Sequence, residues 1–216
     1  ELIRQYLPDS FVFFLPKHTV SGDFFWFSEH KEKIFIAVVD CTGHGVPGAF
    51  MSMIGNTLLN EIVNEKKIYD PALILDKLNS GVMFSLNQGR TDKLSQDDGM
   101  DISLCCIDKQ KKQITLSAAN HFILTVKDKK VRIFEGDLFS IGGFFSKTKD
   151  FKYTNFNLKF DEADAVYMFS DGYQDQFGGP ENKKFMTNHF QDMVLEIQKM
   201  SMSEQKEIIA KRFFEW

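Results

Sequence analysis

The 216-residue chain has no apolar run close to the roughly 20 residues that a membrane-spanning helix needs. Its first residues do not read as a signal peptide. No excess of positive charge is present. The formal net charge is −4, and the four arginines, Arg4, Arg90, Arg132 and Arg212, do not cluster. That argues against a non-specific nucleic-acid binder, which needs a basic face. Cysteine is scarce: Cys41, Cys105 and Cys106 are an odd count with two adjacent, which is not a disulfide framework. A reducing cytoplasm fits this usage. The nucleophile elbow G-x-S-x-G of serine hydrolases is missing, as is the phosphate-binding G-x-x-x-x-G-K-[ST] loop. No Pro/Gly/Ser-rich linker, repeat or low-complexity tract divides the chain, so a single large domain is expected.

What is present is 43% hydrophobic, enough for a sizeable core. Short Phe-, Val- and Ile-rich runs predict strands at Phe11–Leu15, Asp23–Phe27 and Lys33–Val39. Helical spacing of Phe50, Ile54, Leu58 and Ile62 predicts a helix from about Pro47 to Asn64. Asp70 and Pro71 suit the cap and first position of a second helix. An acidic, flexible stretch, TDKLSQDDGM, follows. Strand runs then return in hairpin order: DISLCCID with QITLSAA, FILTVK with VRIFE, FKYTNFNL with AVYMFS. Cys105 and Cys106, adjacent on a strand, should face opposite sides and pack as small apolar groups. SMSE at 201–204 is a capping-box pattern before a last helix. This order is not the strict alternation of a doubly wound fold. It predicts an α+β protein, antiparallel sheets with helices packed outside them.

Three acids share one setting, the edge of an apolar strand with glycine close by: Asp23 in VSGDFFWF, Asp40 in IAVVDCTGHG and Asp171 in YMFSDGYQD. One such acid alone is a turn or cap residue. Three together point to strand ends meeting at one place, where clustered carboxylate oxygens suit a hard divalent cation. GHGVPG at 43–48 also matches G-x-G-x-x-G, but the βαβ context of a dinucleotide site is missing. His18, His30, His121 and His189 are scattered singly. Asp97, Asp98 and Asp101 read as a solvated loop, except that Asp101 opens a buried-looking strand, an expensive place for an unused carboxylate.

SGDFFWF, VVDCTGHGVPGAFMSMIG, DGMDISLCCID and MFSDGYQDQFGG resemble, in this order, the motifs of SpoIIE-like, PPM-type metal-dependent serine/threonine protein phosphatases. The resemblance covers nearly the whole chain. It implies an α-β-β-α sandwich of two antiparallel sheets flanked by helices, with two Mn²⁺ or Mg²⁺ ions at one end. By position, Asp40 matches the carboxylate bridging both metals and Cys41 supplies its backbone carbonyl. Asp23 matches the acid on the second metal and Asp171 the acid on the first. His44 resembles a proton donor and Lys17 a phosphate contact. Asp101 is a possible additional acid with no assigned metal.

The resemblance further implies a phosphorylated anti-sigma-factor antagonist as substrate. It also implies a sensor or receiver domain upstream in the same chain, and dimerisation through the upstream helix. Residues 1–8 read as the end of a linker helix stopped by Pro8, and 9–216 as the phosphatase domain. That domain is expected to lack its last strand and one ligand of the first metal. The competing class is an inactive phosphatase-like module that binds a partner or signal. Metal-dependent turnover of a small aryl phosphate separates the two.

Overall fold

The computed structural model describes residues 2–88, 98–143 and 151–216. After a short helix α1 (Leu2–Tyr6), two strands, β1 (Phe24–His30) and β2 (Lys33–Cys41), form an antiparallel hairpin. Helix α2 (Gly45–Leu59) runs into a π-helical turn, Asn60–Glu65, and α3 (Pro71–Ser85) follows. Strands β3 (Gly99–Asp108), β4 (Gln113–Ala119), β5 (Phe122–Lys127), β6 (Lys130–Glu135), β7 (Ile141–Gly142), β8 (Phe156–Lys159) and β9 (Ala165–Met168) come next. A small hairpin, β10 (Phe177–Gly178) with β11 (Lys183–Lys184), precedes α4 (Met186–Ile197) and α5 (Met202–Glu215).

The strands form two main antiparallel sheets. One has the order β1-β2-β3-β4-β8, with β7 also on β3; the other is β6-β5-β9. Three apolar clusters fill the three spaces of a four-layer stack. Phe35, Ala37, Val39 and Leu104 pack against Leu59, Leu75 and Leu78 of the first helix pair. Leu116, Ile123, Phe134 and Leu158 lie between the sheets. Leu124, Val126 and Tyr167 pack on Phe190, Val194 and Ile209 of the last helix pair. The expected α-β-β-α sandwich is the observed architecture. Strand alternation divides the adjacent cysteines as predicted, Cys106 joining the helix-side core and Cys105 the inter-sheet core.

Two local devices also match the sequence. The Asp70 side chain accepts the Leu73 amide at 2.9 Å with Pro71 at the first helical position. Ser201 and Glu204 form the reciprocal capping box of α5.

Three expectations are corrected. Phe11–Leu15 is not a strand. Its rings serve as aromatic anchors: Phe13 lies 5.7 Å from Phe213 and 6.4 Å from Tyr173, and Phe14 lies 5.9 Å from Phe25. FKYTNFNL and AVYMFS do not pair with each other. β8 joins β4 and β9 joins β5, and the 3-10 turn Phe160–Glu162 carries the chain between sheets. The first residues of that run stay irregular because side chains take their amides: Asp76 accepts from Tyr153 and Asp137 from Thr154. Of the expected stripe Phe50, Ile54, Leu58 and Ile62, Ile62 is buried and Ile54 and Leu58 pack partly buried against the core, but Phe50 is 62% exposed. The fully buried residues of α2 are instead Gly48, Met51, Gly55 and Leu59. The glycines allow this close seating, since a Cβ on Gly55 would stand 3.1 Å from Phe24 and Met100 side chains. The acidic stretch expected after α3 lies, for residues 91–97 including Asp97, outside the described residues.

Candidate active site

Antiparallel registers bring many strand ends to one end of the sandwich. Phe24 pairs Val39, Asp40 pairs Asp101, and Ile102 pairs Ala119 in the first sheet. Phe122 pairs Glu135 and Ile123 pairs Met168 in the second. Asp23 immediately precedes β1, Asp40 is the penultimate residue of β2, Asp101 lies near the start of β3, and Asp171 follows β9. The four acids, distant in sequence, are therefore neighbours in space.

Their coupling is visible in their protonation. Burial, then the carboxylates of Asp23 and Asp171, a side-chain hydrogen bond with Asp171 and the charge of Asp101 push the Asp40 carboxyl up to about 8. Asp101 is also raised by burial, against hydrogen bonds from Ser140 and Asn120 that lower it. Those bonds are 2.5 Å from the Ser140 hydroxyl and 2.8 Å from the Asn120 amide. Asp23 is held by the Ser170 hydroxyl at 2.7 Å. None of the ion pairs among the described residues involves any of these four acids.

The turn after β2 is built by glycine. Gly43 and Gly45 have φ of +83° and +63°, a region that L side chains rarely adopt. Gly48, in the first turn of α2, sits so close that a Cβ there would be 2.6 Å from the Gly43 carbonyl. The Thr42 amide donates to the Gly99 carbonyl at 3.0 Å, and the Thr42 hydroxyl accepts from the Gly99 amide at the same distance. This ties the turn to the start of β3. The Cys41 thiol is buried and, by that burial and the charges of Asp40 and Asp23, pushed up to about 12. A thiol so held is no thiolate ligand or nucleophile; only the residue's backbone is chemically available.

His44 is the exposed N-terminal cap residue of α2, and its side chain makes no capping bond. Its ring lies 6.0 Å from that of His18. Lys17 is exposed beside His18. Asp23, Asp40, Asp101 and Asp171 are thus brought together, and neither His44 nor Lys17 forms a hydrogen bond or ion pair with that cluster. Among the described residues no three His, Cys, Asp or Glu side chains close on one point as a ready metal cage. The expected assignment gives each ion only two carboxylates from this chain, with Asp40 shared, so a three-side-chain cage is not required by it. The donor set fits: oxygen-rich, crowded with negative charge, and free of ion pairs, as a hard dication requires.

Sequence reasoning missed Ser170, Asn120 and Ser140, the groups that orient Asp23 and Asp101. A usable signal was Ser170 directly before Asp171 in FSDG, on the same strand end. Nothing local marked Ser140, which is 39 residues from its partner.

Comparison with known proteins agrees with this fold. The family model of stage II sporulation protein E (SpoIIE) matches residues 30–215. The phosphoserine phosphatase RsbU of Bacillus subtilis (strain 168) is 29% identical over 164 residues, which are 73% of this chain and 44% of that protein. The chain therefore spans less than half the length of this relative. Among solved structures, the SiaA-PP2C domain of Pseudomonas aeruginosa superposes with a TM-score of 0.84 at 26% identity, covering 100% of this chain and 82% of the other. The PP2C phosphatase domain of SpoIIE from Bacillus subtilis, solved with a fragment of its regulatory domain, gives 0.67 at 20% identity, over 92% and 54% of the two chains. The chain belongs to the SpoIIE family and is a PPM-type serine/threonine phosphatase domain.

Proposed function

We propose that the domain hydrolyses phosphoserine or phosphothreonine on a regulatory protein with the help of two Mn²⁺ or Mg²⁺ ions held at the carboxylate end of the sandwich. The observation that carries this reading is Asp40. It ends a buried strand among three other carboxylates and keeps a proton to about pH 8. A dication takes the place of that proton and relieves the repulsion.

Asp40 would bridge the two ions, Asp23 would hold the second together with the Cys41 carbonyl, and Asp171 would hold the first. Bound there, the ions supply Lewis acidity and a water activated for in-line displacement at phosphorus. Ser170 fixes the rotamer of Asp23. Ser140 and Asn120 keep Asp101 facing Asp40 as a further negative charge. The glycine turn at 43–45 leaves room for a phosphate to approach the backbone. His44 would give a proton to the leaving serine Oγ, and Lys17 would contact the phosphate oxygens.

Several finer statements belong to the same proposal. The substrate is a phosphorylated anti-sigma-factor antagonist, as the family resemblance implies. A sensor or receiver domain upstream in the same protein controls the output through the helix that α1 ends, with dimerisation at that helix. The protein acts in the cytoplasm; no helix among the described residues is long and apolar enough to cross a membrane. The test is turnover of p-nitrophenyl phosphate and of phosphoserine peptides with and without Mn²⁺. Metal-dependent release of phosphate, lost in Asp40→Asn, is expected. Turnover insensitive to excess chelator would contradict it.

A further inference from the structure

Beside the carboxylates, at the same end of the sandwich, a pocket of about 300 Å³ opens between the β5–β6 edge and the start of α4. Its wall includes Asn120, His121, Ile133, Glu135, Leu138 and Thr187. Two of these residues tie it to the surroundings of the candidate active site. The Asn120 amide donates to Asp101 at 2.8 Å, and Asp101 stands opposite Asp40 in the ladder. The Thr187 hydroxyl donates to the Gln174 side chain at 2.8 Å, three residues after Asp171.

The chemistry of the pocket is mixed. Leu138 is 87% exposed and Ile133 40% exposed, so apolar surface is offered to solvent at its mouth. Glu135 is exposed there and adds a negative charge. Phe122 and Glu135 pair at the strand ends, so the pocket lies at the same end of the sandwich as the carboxylates. A protein segment that delivers a phosphorylated side chain to those carboxylates must lay its neighbouring residues on the surrounding surface. An apolar side chain covers Leu138 and Ile133 and leaves water, whereas an acidic one meets the negative charge of Glu135.

We infer that the pocket bounded by Asn120, Leu138 and Thr187 is a specificity subsite for an apolar side chain flanking the phosphorylated residue of the substrate segment, selecting against acidic neighbours. This inference rests on the phosphatase reading above and deepens it.

The test uses two phosphoserine peptide series that differ only in Leu or Asp at the positions flanking the phosphoserine. kcat/KM is measured with Mn²⁺ for the wild-type protein and for Leu138→Asp, with p-nitrophenyl phosphate, which has no flanking residue, as control. Binding of fluorescein-labelled versions of the same peptides is followed by anisotropy. The wild type should prefer Leu over Asp at one flanking position by about tenfold or more. Leu138→Asp should lose that preference while turning over p-nitrophenyl phosphate at the wild-type rate, which also reports an intact fold. Equal kcat/KM for both series, or an unchanged preference in the variant, would overturn the inference. Absence of all p-nitrophenyl phosphate turnover would instead contradict the phosphatase reading. Anisotropy would then decide the pocket: a Leu preference lost in Leu138→Asp supports it, and no preference overturns it.

Discussion

Asp40 stands directly opposite Asp101 in the β2–β3 ladder, two carboxylates paired across adjacent strands. Like charges in that position destabilise a sheet. Ser140 and Asn120 nonetheless hold Asp101 in place, and Asp40 carries a third and fourth carboxylate beside it. The sheet end is arranged for charge density at the expense of its own stability.

A first prediction concerns pH. The folded-state pKa of Asp40 lies above its unfolded value, so the folded protein binds more protons than the unfolded chain between about 4 and 8. Metal-free stability should therefore fall as pH rises through that window. His121 works in the opposite sense below about 6.5, because burial beside Ser103 lowers its pKa to about 4. The Asp40 effect is thus cleanest between pH 6.5 and 8. Thermal melts in chelator should show Tm decreasing over this interval, and Asp40→Asn should flatten the slope.

A second prediction concerns Ser170. Its hydroxyl is the hydrogen-bond partner of Asp23. Ser170→Ala should leave the fold intact and lower Mn²⁺ affinity by roughly tenfold, the usual consequence of losing a group that orients a ligand. Calorimetric titration of both proteins checks this.

A third prediction concerns Gly48. An alanine there would place a methyl carbon 2.6 Å from the Gly43 carbonyl. The turn after Asp40 must shift, at a cost of about 1–3 kcal/mol, and turnover should fall with it. Ala49→Gly, one residue on, should cost about 1 kcal/mol of helix stability and leave the turn in place. Denaturant melts together with aryl-phosphate assays separate the two.

A fourth prediction concerns α5. Ser201→Ala removes the acceptor for the Glu204 amide and half of the capping box. A loss of about 1 kcal/mol is expected with metal affinity unchanged, since the helix start takes no part in the carboxylate cluster.

Much of this was legible in the sequence wherever the deciding contacts are local. The end of β2 in Asp40, the Asp70–Pro71 helix start, the Ser201 box and the opposed cysteines each depend on a few adjacent residues. Their periodicity and capping chemistry show before any folding. The three motif acids were legible because each stands at the edge of an apolar run with glycine close by. What escaped was decided over long sequence distance. Phe11, Phe13 and Phe14 carry the same apolar signal as a strand, yet their rings fit among aromatic residues of β1 and the C-terminal third of the chain. β8 and β9 are neighbours in sequence and still separate into two sheets, because β4 and β5 each offered an open edge. Phe50 on α2 was misread because the helix seats most closely on the side of Gly48 and Gly55, with Met51 and Leu59 beside them, which turns Phe50 outward. Asn120 and Ser140 could be recognised as partners of Asp101 only once the strands were in register.

The central claim is that this carboxylate end is a cation site, and its most direct measurement is Mn²⁺ binding. Isothermal titration at pH 7, paired with thermal melts, should show Mn²⁺ binding the wild-type protein and raising its Tm. Asp40→Asn, which needs no proton to be buried there, should start from a higher metal-free Tm and gain little from the ion. Equal affinity and equal Tm gain in the two proteins would contradict the account.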